Sequence, residues 1–145
     1  MLCEMPRPQP AAIAGDLRVV IGGLVRRLRA ERRGMPLAQV TVLGRLDRGG
    51  PSAISALAAA EHVRPQSMAA TVVALERAGL VTRRPDADDR RRVVIDLSPA
   101  GRETLAADRR QREGWLAEGI ARDLSPDEQR VLAEAIVLLR RLADG

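Results

Sequence analysis

Between Arg64 and Arg92 the chain carries seven arginines against four carboxylates, Glu76, Asp86, Asp88 and Asp89. Guanidinium groups grip phosphate bidentately and reach acceptors on base edges, so the chemistry on offer is recognition of a polyanion and not the making of bonds. The residues fall into two sets. Arg64, Gln66, Ser67, Ala70 and Thr71 combine hydrogen-bonding groups with side chains small enough to let a backbone approach a partner closely. Arg83, Arg84, Asp89, Arg90 and Arg91 flank or occupy a charged segment, where an exposed arginine could enter a narrow groove of high negative potential. A solvated surface hairpin carries the same kind of charge run, so charge alone leaves both readings open.

The rest of the composition narrows the field. All 24 basic residues are arginine and the net charge is +5, which fits a nucleic-acid partner. Hydrophobic residues at 46% and charged residues at 30% belong to a folded chain, and 145 residues suffice for one domain but not two ordinary ones. Trp115 is the sole aromatic, which disfavours the stacking used in single-stranded RNA recognition. Glycines occur singly or as Gly22-Gly23 and Gly49-Gly50, without the spacing that cradles phosphates, and no nucleophile and base are paired, so no enzyme is expected. Cys3 is the only cysteine and His62 the only histidine; a metal site is discounted and no cofactor is expected. No apolar run long enough for a membrane occurs, and the start MLCEMPRPQP lacks the apolar stretch of a signal peptide, so a cytoplasmic location is expected, with Met5 an alternative initiator.

Periodicity places the elements that must position the two sets. Apolar residues at Ile13, Leu17, Ile21, Leu24 and Leu28 predict a first helix to about Arg33, stopped by Gly34. Leu37, Val40, Leu43 and Leu46 predict a second, ending at Gly49-Gly50. Ser52 is the expected N-cap of a third helix carrying Ile54, Leu57 and Ala58; Pro65 opens a fourth with Met68, Val72 and Leu75 on one face, stopped by Gly79. That pair is a helix-turn-helix pattern. The period then changes: residues 80–84 and 92–97 read as strands, with Val93, Ile95 and Leu97 alternating with Val94 and Asp96, around a tip from Pro85 to Arg91. Ser98-Pro99 begins a fifth helix with a polar middle, and Ser125-Pro126-Asp127-Glu128 is a capping box opening a sixth with Leu132, Ala135, Leu139 and Leu142 as its stripe.

The run Gly79-Leu80-Val81-Thr82-Arg83, the tip Pro85-Asp86-Ala87-Asp88-Asp89-Arg90-Arg91 and the close Val94-Ile95-Asp96-Leu97-Ser98-Pro99-Ala100-Gly101 resemble the MarR family of bacterial transcriptional regulators. Weaker matches lie in residues 37–43 and 55–58, and the resemblance spans roughly residues 15 to 143. It implies a mainly α fold with a small β-hairpin wing: a winged helix-turn-helix whose outer helices, about 13–33 and 99–143, dimerise, with a DNA-binding lobe about 37–98; the three prolines of the start predict a disordered tail over 1–12. It further implies a homodimer on a pseudo-palindromic operator, acting as a repressor released by a small anionic or aromatic effector. In the wing, Asp89 would steady Arg91, two positions later, for entry into the minor groove. Arg26, Arg27 or Arg29 could anchor an effector; Trp115 reads first as core, then as dimer interface, then as a pocket wall. Two alternatives stand beside this reading, a winged-helix protein-interaction module without specific DNA binding and a redox-responsive regulator using Cys3, near which only Arg7 could lower a thiol pKa.

Overall fold

The computed structural model describes residues 7–31 and 34–145. The chain clusters into two compact units, Met1–Leu37 and Ala38–Gly145. In the first, helix α1 spans Pro10–Ala30 with proline at its first turn and Gln9 as N-cap. It opens inside the stretch read as a loose tail, because proline presets the helical φ there, ahead of the apolar periodicity that begins at Ile13. Arg27 and Arg29 sit in its last turn, favourably placed against the helix dipole. No residue of α1 is buried. Arg32, Arg33, Cys3 and Met5 lie outside the described residues.

The second unit runs α2 (Leu37–Gly49), α3 (Ile54–Ala60), α4 (Pro65–Arg77), β1 (Val81–Pro85), β2 (Val93–Leu97), α5 (Pro99–Asp123) and α6 (Pro126–Asp144). Its core is aliphatic: Val40, Val42, Leu43 and Leu46 from α2, Leu57 and Ala58 from α3, Met68, Val72 and Leu75 from α4, joined by Leu80, Val81, Val94, Ile95, Leu97 and Leu105. The three-and-four spacing of α4 thus buries one face and leaves the other to solvent.

The strands pair antiparallel, with Val81 opposite Leu97 and Pro85 opposite Val93. Two expectations are corrected here. Ser52 is not a helix cap: Ala53 holds that position, and Ser52 exchanges backbone hydrogen bonds with Ile95 at 3.0 and 2.8 Å, adding a one-residue third rung to the sheet. The strict alternation in β2 also fails, since Val94 and Ile95 are both buried while Val93 is 53% exposed. Ile95 is bridged by the Ser52 segment, whereas Val93 pairs with Pro85 at the turn end of the hairpin, beside the tip.

Three local devices fix the geometry around α4. Its C-terminus closes as a Schellman motif: Gly79 at φ 75° donates to the Glu76 carbonyl and Leu80 to that of Leu75. The same motif ends α3, with His62 in the left-handed region at φ 54°, His62 donating to Ala59 and Val63 to Ala58. At the start of α5, buried Ser98 accepts from the Gly101 N–H at 3.0 Å and donates to the Gly79 carbonyl at 2.6 Å, while its own N–H reaches the Leu80 carbonyl. A Cβ on Gly101 would stand 2.0 Å from the Leu80 oxygen, so only glycine fits. The capping box of α6 is complete, with Ser125 and Glu128 bonded reciprocally.

Candidate nucleic-acid interface

Helix α4 carries the first set of candidate residues. Arg64 is its N-cap, with no side-chain cap bond, and Gln66, Ser67 and Ala70 are exposed, opposite the buried Met68–Val72–Leu75 face. Thr71 is half-buried and its hydroxyl donates to the Ser67 carbonyl at 3.1 Å. That bond spends its proton inside the helix, leaving lone pairs as its offer to a partner. The N-terminal half of α4 therefore presents a surface of small and amide side chains flanked by Arg64.

The second set divides in a way the linear sequence does not reveal. Arg83 Nε donates to both carboxylate oxygens of Glu76, at 2.8 and 3.1 Å, bracing β1 against the end of α4. Arg84 Nε reaches Asp96 at 3.3 Å across the hairpin, a diagonal cross-strand pair set by the register. These arginines are committed to carboxylates of the scaffold. Arg90 and Arg91 stand at the exposed tip, and among the described residues neither guanidinium joins an ion pair. Sequence reasoning missed Glu76 and Asp96; the strand register could have revealed Asp96, and nothing local pointed to Glu76.

The tip is an ordered turn. The Asp86 N–H donates to the Arg92 carbonyl at 2.9 Å, and the Arg92 N–H to the Asp89 carbonyl at 3.0 Å. Asp89 Oδ1 accepts the Arg91 backbone N–H at 3.0 Å, and Asp86 Oδ1 that of Asp88 at 3.1 Å. Two further ion pairs tie the lobe together, Arg45 with Glu61 between α2 and the end of α3 and Arg109 with Asp47 at 2.9 Å between α5 and α2. Of the candidate effector residues, Arg26 and Arg29 are exposed on α1, the Arg26 guanidinium folded back along its own helix beside Gly22; Trp115 is half-buried on α5. Among the described residues, no helix is long and apolar enough to cross a membrane.

A helix-turn-helix whose second helix presents its N-terminal half, followed by a hairpin with an arginine tip, is the arrangement of a winged-helix DNA binder. Comparison with known proteins agrees. The MarR family pattern matches residues 35–93. HTH-type transcriptional regulators of Mycobacterium tuberculosis and Mycobacterium leprae are 37% and 35% identical over 136 residues, spanning 92% of this chain and 94% of each relative. The crystal structure of a candidate transcriptional regulator from Pseudomonas aeruginosa PA01 superposes with a TM-score of 0.83 at 38% identity, covering 97% of this chain and 99% of that one. A MarR family protein from Bacillus stearothermophilus shares the fold, with a TM-score of 0.72 at 22% identity over 93% of this chain and 95% of its own. The chain belongs to the MarR family and is a transcriptional regulator of the helix-turn-helix type.

Proposed function

We propose that the protein binds a pseudo-palindromic operator in double-stranded DNA as a homodimer and represses transcription from it. One observation carries this reading: among the described residues the side chains of Arg64, Gln66 and Ser67 at the start of α4 and of the tip arginines join no hydrogen bond or ion pair, while the neighbouring Arg83 and Arg84 are held by Glu76 and Asp96. Helix α4 would lie in the major groove, with Arg64, Gln66, Ser67 and Ala70 at base edges or phosphates, and Arg90 and Arg91 would reach the adjacent minor groove. The dimer is supported by apolar surface that the protomer leaves open. On α1, Val19 and Val20 are 58% and 57% exposed, and on α6 Leu138 and Leu142 are 57% and 72% exposed, and aliphatic side chains clustered along a helix in this way suit a surface that a partner covers. Two-fold symmetry then sets half-sites about 10 bp apart, or one helical turn. Release by a small anionic effector is the regulatory half of the proposal, with Arg26, Arg29 and Trp115 as the residues to substitute first.

Enrichment of duplexes from a random pool, with sedimentation of the protein at micromolar concentration, tests both halves of the assembly. The expected result is a dimer that enriches an inverted repeat. A folded monomer, or binding that is equal on all duplexes, would overturn the proposal.

A further inference from the structure

The wing tip is a β-turn whose centre is Arg90-Arg91. Its closing bond runs from the Arg92 N–H to the Asp89 carbonyl, and neither central residue has positive φ, His62 being the sole non-glycine residue with one among the described residues. That excludes the primed turns and type II, which need φ above zero, and leaves a type I geometry in which Asp is favoured at the first position because its carboxylate accepts the N–H two residues on. Asp89 does this at 3.0 Å. Asp86 repeats it on the Asp88 N–H at 3.1 Å, while its own N–H closes the loop onto Arg92. Each aspartate thus gives its Oδ1 to a backbone donor, and among the described residues no ion pair joins Asp89 to the Arg91 guanidinium.

We propose that Asp86 and Asp89 are positioning residues acting through these backbone hydrogen bonds, so that the wing needs an acceptor oxygen at each position and not a negative charge. The tip arginines are aimed by the turn that carries them. An amide oxygen makes the same bond, and it brings no negative charge near phosphate. In the free protein, the proposal expects Asp89→Asn to keep the Arg91 amide protected and Asp89→Ala to lose that protection, with Asp86 acting likewise on the Asp88 amide.

The inference rests on the DNA-binding reading for its affinity arm only, and its structural arm needs no DNA. Amide exchange and backbone relaxation of residues 86–92 are measured for the native protein, D89A and D89N, with D86A and D86N alongside. Binding is measured on a duplex enriched from the random pool, with thermal unfolding as the check on folding. The expected result is about tenfold weaker binding by D89A, the size of one lost hydrogen bond, and binding by D89N at least as tight as native. Weakening by D89N equal to that by D89A would show that the charge steers the Arg91 guanidinium and overturn the proposal. Tightening by both would reduce Asp89 to a long-range charge and overturn it too. If no duplex is enriched, the DNA-binding reading falls, and the amide measurements still decide: unchanged exchange at Arg91 in D89A refutes the turn mechanism.

Discussion

The lobe between α2 and the start of α5 and the helices α1 and α6 are built on opposite principles. In the lobe, Leu43, Leu57, Leu75 and Ile95 are sealed within the protomer, and backbone junctions leave little room for change. Along α1 and α6 no residue is buried, although both are rich in Val, Leu and Ile. The lobe packs within the protomer, whereas α1 and α6 leave their aliphatic side chains open, the surface on which the proposed dimer rests. A substitution should thus be felt in the lobe as loss of fold and in the outer helices as loss of assembly.

The largest effect is expected at the tightest junction. Gly101→Ala drives a methyl into the Leu80 carbonyl and should cost about 3 kcal/mol or more in chemical denaturation, at the upper end for overpacking; a loss below 1 kcal/mol would mean that α5 can slide. Next comes Leu138→Ala on α6, exposed in the protomer, for which a loss of about 2 kcal/mol is expected, the size seen when an aliphatic side chain is removed from a packed site. It should appear as a concentration-dependent shift in melting temperature and a weaker dimer, with the lobe unchanged. Equal melting curves for native and variant at every concentration would erase the contrast between the regions.

Arg91→Ala should leave folding and dimerisation intact and flatten the dependence of log affinity on log salt by about one unit per subunit, as expected for one lost phosphate-type contact. Arg84→Ala, by comparison, should loosen the hairpin through Asp96 and move the salt slope less. The smallest effect sharpens the first: Gly114→Ala, in the same helix as Gly101 but with nothing within 4 Å of the added methyl, should stabilise by about 0.5–1 kcal/mol through helix propensity. One substitution type would then have opposite signs on one helix.

What the sequence disclosed follows the range of the forces involved. Pro65, Gly79, Ser98 and the Ser125–Glu128 box announce helix ends because their physics is complete within four residues, and each stands where local rules put it. Ser52 departs from the local rule for the converse reason. Serine two residues before an apolar run satisfies the cap rule, yet its partner is Ile95, more than forty positions away, and a backbone bridge outcompetes a local cap. The candidate interface divides the same way. The exposed face of α4 follows from the spacing of Met68, Val72 and Leu75, whereas the division of the arginines into held and uncommitted depends on Glu76 and Asp96, which only the folded hairpin brings near. The bond from Asp89 to the Arg91 amide is local, yet the resemblance implies a role for the two side chains and none for the backbone between them.

The Ser98–Gly101 junction also has a mechanical consequence. It joins the first turn of α5 directly to the carbonyls of Gly79 and Leu80, at the point where α4 hands over to β1. A helix of 25 residues is about 37 Å long at 1.5 Å per residue, and Gly101 leaves no clearance at its base. Helix α5 is thus rooted without slack where α4 meets β1. A rigid-body displacement of about 4 Å at its far end would turn its base by only about 6° at that length, and under the proposed function α4 and the wing would take that turn together.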